Sequence, residues 1–142
     1  YDWRSGRKIA GLLAEDKCSF RDTVEMMCAS TEVVENKFTG NTTIGVVITN
    51  GDFGKASLCK IAGMAQDGYA RAIRPVHTSA DGDSIYAVSA GNVSEKVKAD
   101  QDLVGTLAAE VMSEAIIRAV TSAESAYGFP AYRELKAREN KR

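Results

Sequence analysis

Two short polar stretches hold side chains suited to amide or acyl chemistry. Gly40-Asn41-Thr42-Thr43 leads into one β-branched run, and Asp81-Gly82-Asp83 leads into a second. A threonine hydroxyl is a poor nucleophile at neutral pH and acts only beside a base. Paired carboxylates can orient such a hydroxyl, and two that lie close share a proton, which raises the pKa of one. Glycine at position 82 lets the chain turn so that both aspartates face one small space. If the two runs are parallel neighbours in one sheet, their starts lie at the same edge, and Thr42, Asp81 and Asp83 meet there. A plainer reading stands beside this one, with Asn41, Asp81 and Asp83 as ordinary turn and cap residues.

The chain holds one histidine, His77, which serves a Ser-His-Asp triad poorly. In Arg74-Pro75-Val76-His77-Thr78 its imidazole either orients the loop carrying Asp81 or is a hydrogen-bonded loop histidine. Arg71 and Arg74 carry the guanidinium fork that grips a substrate carboxylate, or else they pair with Asp67 on their own helix. Three cysteines, Cys18, Cys28 and Cys59, are widely spaced, with no CxxC. A closed zinc site needs about four N or S ligands, so no metal is expected. Cys28 and Cys59 fall in apolar patterns and are expected inside. So are Met26, Met27, Met64 and Met112, as core filler, and Tyr69 and Tyr86.

The elements that must position these groups follow from periodicity. Ser19-Phe20-Arg21-Asp22 resembles a capping box, and Phe20, Val24, Met27 and Cys28 give a short helix one apolar face through about Ser30. Residues 31–41 read as a polar loop. Thr43 to Thr49 is β-branched and nearly continuous in apolarity, the pattern of a strand covered on both faces. Asn50-Gly51-Asp52 is a turn. A helix follows from about Lys55 to Ile73, with Leu58, Ile61, Ala62, Ala65, Tyr69, Ala72 and Ile73 on one face. Pro75 ends it, because the residue before proline is pushed out of the α region. Ser84 to Ser89 is a second strand. A long helix runs from about Asp102 to Tyr127, with Leu103, Leu107, Ala108, Val111, Ala115 and Val120 as its face and Gly105 and Ala109 permitting close packing. Gly128-Phe129-Pro130 stops it, and the tail 131–142, with five basic and two acidic residues, reads as a solvated, frayed end.

The order is one helix, then β–α–β–α, which argues an α/β layered fold. Two strands do not make an independent sheet, so further strands must come from another chain or from more of this one. Composition narrows the function classes. The chain is 142 residues with 18 basic and 19 acidic side chains, a net charge of −1, and 44% apolar content. That is about one domain, and its near-zero charge argues against a nucleic-acid binder. No apolar run approaches the roughly 18–20 residues that span a bilayer, and Tyr1 to Lys8 has no secretory apolar core. A cytoplasmic location is the expectation, and a start without Met reads as a fragment or a processed piece. The sequons Asn41-Thr42-Thr43 and Asn92-Val93-Ser94 are then accidental. No G-x-G-x-x-G or P-loop spacing follows the first strand.

Asn41-Thr42-Thr43-Ile44-Gly45-Val46-Val47 resembles the self-cleavage site of the DmpA-type aminopeptidase and nylon-oligomer hydrolase family. Met64 to Gly91, MAQDGYARAIRPVHTSADGDSIYAVSAG, resembles that family's most recognisable segment. The likeness runs from about Gly40 to Gly128 and is densest in the middle. Residues 1–39 fit loosely as the tail of the family's larger subunit. The region upstream, which in the family holds a lysine and an asparagine of the active site, is absent.

The resemblance implies a precursor cut between Asn41 and Thr42. Residues 1–41 are then the end of a large subunit, and 42–142 a small subunit with Thr42 as its N-terminal nucleophile. Asp81 and Asp83 match the acidic pair that positions and activates that threonine. The implied fold is a four-layer αββα sandwich, resembling N-terminal-nucleophile hydrolases in layout. The implied partners are a peptide or amide substrate, the upstream large-subunit polypeptide, and further αβ units in an oligomer. No metal or organic cofactor is implied. The rival readings are an acyltransferase of the ornithine acetyltransferase kind and a non-catalytic or incomplete α/β module.

Overall fold

A computed structural model describes residues 1–30 and 42–139. The elements in order are α1 (Thr23–Ala29), β1 (Ile44–Thr49), α2 (Lys55–Ala72), β2 (Ser84–Ser89), α3 (Gln101–Ser122) and α4 (Tyr132–Glu139), with a 3₁₀ turn at Val93–Glu95 between β2 and α3. The class is mixed α/β. β1 and β2 pair in parallel, from Ile44 opposite Ser84 to Thr49 opposite Ser89, so their starts share one edge. The crossover between them is α2, which ends at Ala72 with Ile73 as its extended cap, two residues ahead of Pro75.

α2 and α3 pack on one another and under the sheet. α2 buries Ile61, Ala65, Gly68, Tyr69 and Ala72. α3 buries Gly105, Ala108, Ala109, Met112 and Ser113. Val47, Ile85 and Ala87 from the sheet, with Phe53 and Val104, close over Ile61, Ala65 and Ala108. The helices approach so closely that a Cβ at Gly68 would lie 2.5 Å from the Ala109 carbonyl oxygen. Ser113, fully buried, turns its hydroxyl to the carbonyls of Ala109 and Gly68 at 3.0 and 3.2 Å. A polar group in that seam is affordable because it is hydrogen-bonded.

Several expectations are corrected. Among the described residues β1 is not covered on both faces. Ile44, Val46 and Ile48 are 68%, 53% and 71% exposed, and Tyr86 and Val88 beside them are also exposed. The apolar run stands because one whole sheet face is uncovered among the described residues. α3 buries its small-residue stripe and leaves Leu103, Leu107 and Val111 outside, since close approach to α2 selects small side chains. It ends at Ser122, ahead of Gly128.

α1 begins after Asp22, whose side chain accepts the N–H groups of Val24 and Glu25, and it buries no residue. Met26, Met27 and Cys28 are therefore exposed rather than inside, and Cys59 on α2 is exposed as well. The segment expected to fray is largely α4, anchored by buried Leu135. No helix is long and apolar enough to cross a membrane among the described residues.

The helix seam makes a paired prediction. Gly68→Ala should cost about 1–3 kcal/mol, because the methyl meets backbone that cannot yield. Gly63→Ala, where a Cβ meets nothing within 4 Å, should instead stabilise by up to about 1 kcal/mol through helix propensity. Urea unfolding of both variants checks the sign of each change.

Candidate active site

The shared edge of β1 and β2 brings the two polar stretches together. Asp83 is the hinge of the arrangement, its side chain only 5% exposed. One carboxylate oxygen accepts the Thr43 N–H at 2.9 Å, and the other accepts the His77 N–H at 3.3 Å. The imidazole Nδ1 of His77 lies 3.1 Å from that second oxygen. Burial pushes the Asp83 carboxyl up. The N–H groups of Thr43 and His77, the Thr43 hydroxyl and the His77 imidazole outweigh burial and hold it below the ordinary aspartate range. A proton shared with Asp81, which would have raised it, is not the arrangement found.

Asp81 points elsewhere. Its carboxylate accepts both the N–H and the hydroxyl of Thr78, each at 2.7 Å. The loop is thus folded on itself by a local side-chain turn. His77 sits between the two anchors with φ of +58°, a conformation that costs a non-glycine residue energy and clusters at functional sites. Its ring stacks on Tyr69 at 5.9 Å between centroids. Tyr69 is fully buried and reaches the Ser84 carbonyl at 3.4 Å. Burial, then the charge on Asp83, pushes its phenol up, so it stays neutral. Tyr86, expected to be packed like Tyr69, is exposed.

Thr42 is exposed at the start of β1, and its side chain lies against Gly82. It lines an open cleft of about 610 Å³ with Arg74, Thr78, Asp81 and, from α1, Thr23 and Met27. Among the described residues Thr42 makes no hydrogen bond to Asp81 or Asp83. Arg74 lies over the Tyr1 ring at 4.7 Å, and neither it nor Arg71 forms an ion pair with Asp67 among the described residues. Asn41 lies outside the described residues, as does Gly40. No three His, Cys, Asp or Glu side chains cluster as a metal site would need among the described residues.

Thr43 and Thr78 were not singled out by sequence reasoning, yet they are the partners of the two aspartates. The signal for Thr78 is its three-residue spacing from Asp81. Nothing local marks Thr43, because its partner is forty residues away.

Acid sensitivity follows from Asp83. A depressed carboxyl contributes stability above its unfolded value and loses it as pH falls through the folded one. Unfolding free energy should therefore drop below pH about 4. Asp83→Asn, measured across the same range, should be less stable at neutral pH and flatter at the acid end. Asp83→Ala should cost about 1–3 kcal/mol, since it leaves the Thr43 N–H unpaired.

Comparison with known proteins identifies the family. A profile of peptidase family S58 matches residues 5–133. The chain is 40% identical over 103 residues to an uncharacterized aminopeptidase of Mycobacterium leprae, covering 65% of this chain and 28% of that protein. It is 35% identical over 106 residues to an uncharacterized aminopeptidase of Mycobacterium tuberculosis, covering 67% and 31%. It is 30% identical over 89 residues to a 6-aminohexanoate-oligomer endohydrolase of Kocuria, covering 56% and 25%. The match thus spans between a quarter and a third of these relatives' own length. No solved structure matches significantly. These names bear out the resemblance to DmpA-type aminopeptidases and nylon-oligomer hydrolases, and the chain belongs to peptidase family S58.

Proposed function

We propose that these residues carry the nucleophile of an autoprocessed amide hydrolase, with Thr42 freed by scission of the Asn41–Thr42 bond. The observation that carries this reading is the seat of Thr42. Its hydroxyl lies against Gly82 on the wall of an open cleft, one residue ahead of the amide that Asp83 clamps.

Scission proceeds by an N-to-O shift. The Thr42 hydroxyl oxygen attacks the Asn41 carbonyl carbon, the C–N bond breaks, and the hydroxyl proton ends on the released amine. Water then cleaves the ester, giving an Asn41 carboxylate and restoring the hydroxyl. The freed α-amine has an unperturbed pKa of about 7.7–8.0, so part of it is neutral near pH 7. It accepts the hydroxyl proton within the same residue while the oxygen attacks a substrate carbonyl. The proton passes to the leaving amine, and water releases the acyl group from Thr42. Asp83 holds the backbone that carries the nucleophile, and Asp81 holds the adjoining loop. His77 orients that loop through Asp83.

The substrates we assign are small peptides, amino-acid amides or ω-amino amide oligomers. Arg74, on the same cleft and without an ion pair among the described residues, is assigned to a substrate carboxylate. The four-layer αββα arrangement, the division at residue 42 and assembly with an upstream large subunit belong to this reading too. The uncovered sheet face supports them. Covering Ile44, Val46, Ile48, Tyr86 and Val88 would stabilise the assembly by about 1.5–3 kcal/mol for each side chain fully buried.

The full natural polypeptide carrying these residues should yield a fragment whose first residue is Thr42, seen by intact mass and N-terminal sequencing. Thr42→Ala should stay uncut and release no amine from amino-acid amides. Scission at Asn41 in that variant would defeat the assignment. Supplying an amino-acid acceptor in the same assay separates hydrolysis from acyl transfer.

A further inference from the structure

Neither backbone conformation nor core packing explains why the residue between the two aspartates is glycine. Positive φ is one reason for glycine, and the left-handed glycines among the described residues are Gly6, Gly11, Gly91 and Gly128, not Gly82. A tight place in the core is another, as at Gly68, but Gly82 is exposed. What remains is the room a neighbour occupies. A Cβ built on Gly82 would lie 2.7 Å from the Thr42 hydroxyl oxygen, 3.6 Å from its Cγ2 and 3.7 Å from its Cβ. All three nearest atoms belong to Thr42. Normal carbon contacts begin at roughly 3.5 Å, so only the hydroxyl conflicts.

We propose that Gly82 is a positioning residue, its missing side chain forming the seat that sets the rotamer of the Thr42 hydroxyl. The proposal rests on the reading of Thr42 as nucleophile. Threonine is branched at Cβ, so its oxygen has few staggered positions to choose from. With glycine at 82, the position over the loop backbone is open. A methyl there closes it and turns the oxygen to another well. Both residues lie at the exposed rim, so this rotation relieves the clash without disturbing the core. The loop itself stays where the Asp83–Thr43 and Asp81–Thr78 bonds hold it. Fold is therefore kept while the reacting atom moves.

The test uses the full natural polypeptide carrying these residues, with Gly82→Ala made alone and in combination with Thr42→Ser. Serine lacks Cγ2 but keeps the hydroxyl oxygen that the methyl meets. Gly82→Ala alone should keep its melting temperature and slow scission at residue 42. In molecules that have been cut, kcat on an amino-acid amide should fall about 100-fold with KM unchanged, the scale of an ångström's misplacement. Against Thr42→Ser, which keeps the conflicting oxygen, the same change should cost about as much. Unimpaired scission and kcat in Gly82→Ala would overturn the proposal. So would a much smaller proportional fall in the Thr42→Ser background, since the conflict would then lie at Cγ2. If Gly82→Ala lowers the melting temperature, a fall in kcat no greater than the loss of folded protein at the assay temperature would overturn it too. Thr42→Ala separates the two readings. If it stays active, the nucleophile assignment fails. If it is inactive while Gly82→Ala is unimpaired, only the seat fails.

Discussion

A nearly buried carboxylate holds the candidate site together. Asp83 stands where β2 begins, and the first backbone amide of the β1 approach donates to it. Charge in a place of low exposure is tolerated only where donors surround it. Here two backbone N–H groups, a hydroxyl and an imidazole do so. The same set of bonds ties three separate stretches of chain to one point: the start of β1, the His77 loop and the start of β2. Thr42 is the residue immediately before this point. It is therefore exposed to the cleft on one side and fixed to rigid structure on the other, the placement that the proposed nucleophile needs.

Behind that point the support is steric. Tyr69 rises from α2, fully buried, and carries the His77 ring on its face. α2 is in turn held by α3 through a seam of glycine, alanine and serine that brings the two backbones close. The parallel pairing of β1 and β2 aligns their starts, and α2 must cross between them to permit it. A change in the helix seam would thus reach the cleft through Tyr69 and the strand register. The opposite face of the sheet is apolar and uncovered among the described residues. Such a face is expected of one layer in a larger assembly.

The chemistry of the site divides between its two aspartates more sharply than their spacing suggests. Asp83 acts on the backbone beside Thr42, and Asp81 acts on its own loop through Thr78. Both shape the wall on which Thr42 rests, and the atoms nearest a Cβ at Gly82 are all those of Thr42. Position, more than direct contact, is what the acidic pair supplies in this arrangement.

Local pattern was sufficient for both strands, for α2 almost to the residue, and for the family, because β-branched runs, 3.6-residue periodicity and a proline stop are short-range physics. The segment from Met64 to Gly91 carried the densest part of the family likeness. Which face of α3 turns inward was legible only in part: Gly105 and Ala109 were read as permitting close packing, and both are buried. Leucine and valine mark an apolar stripe, but the distance between two helix backbones favours the glycine and alanine stripe instead. Nor was the exposure of Met27, Cys28 and Cys59 legible, since burial depends on what lies opposite. Residue types alone determined that a threonine, two aspartates and one histidine stand near strand starts. The pairing of Asp83 with Thr43, and the seat of Thr42 on Gly82, were decided only by the parallel register that brings positions forty residues apart within a hydrogen bond.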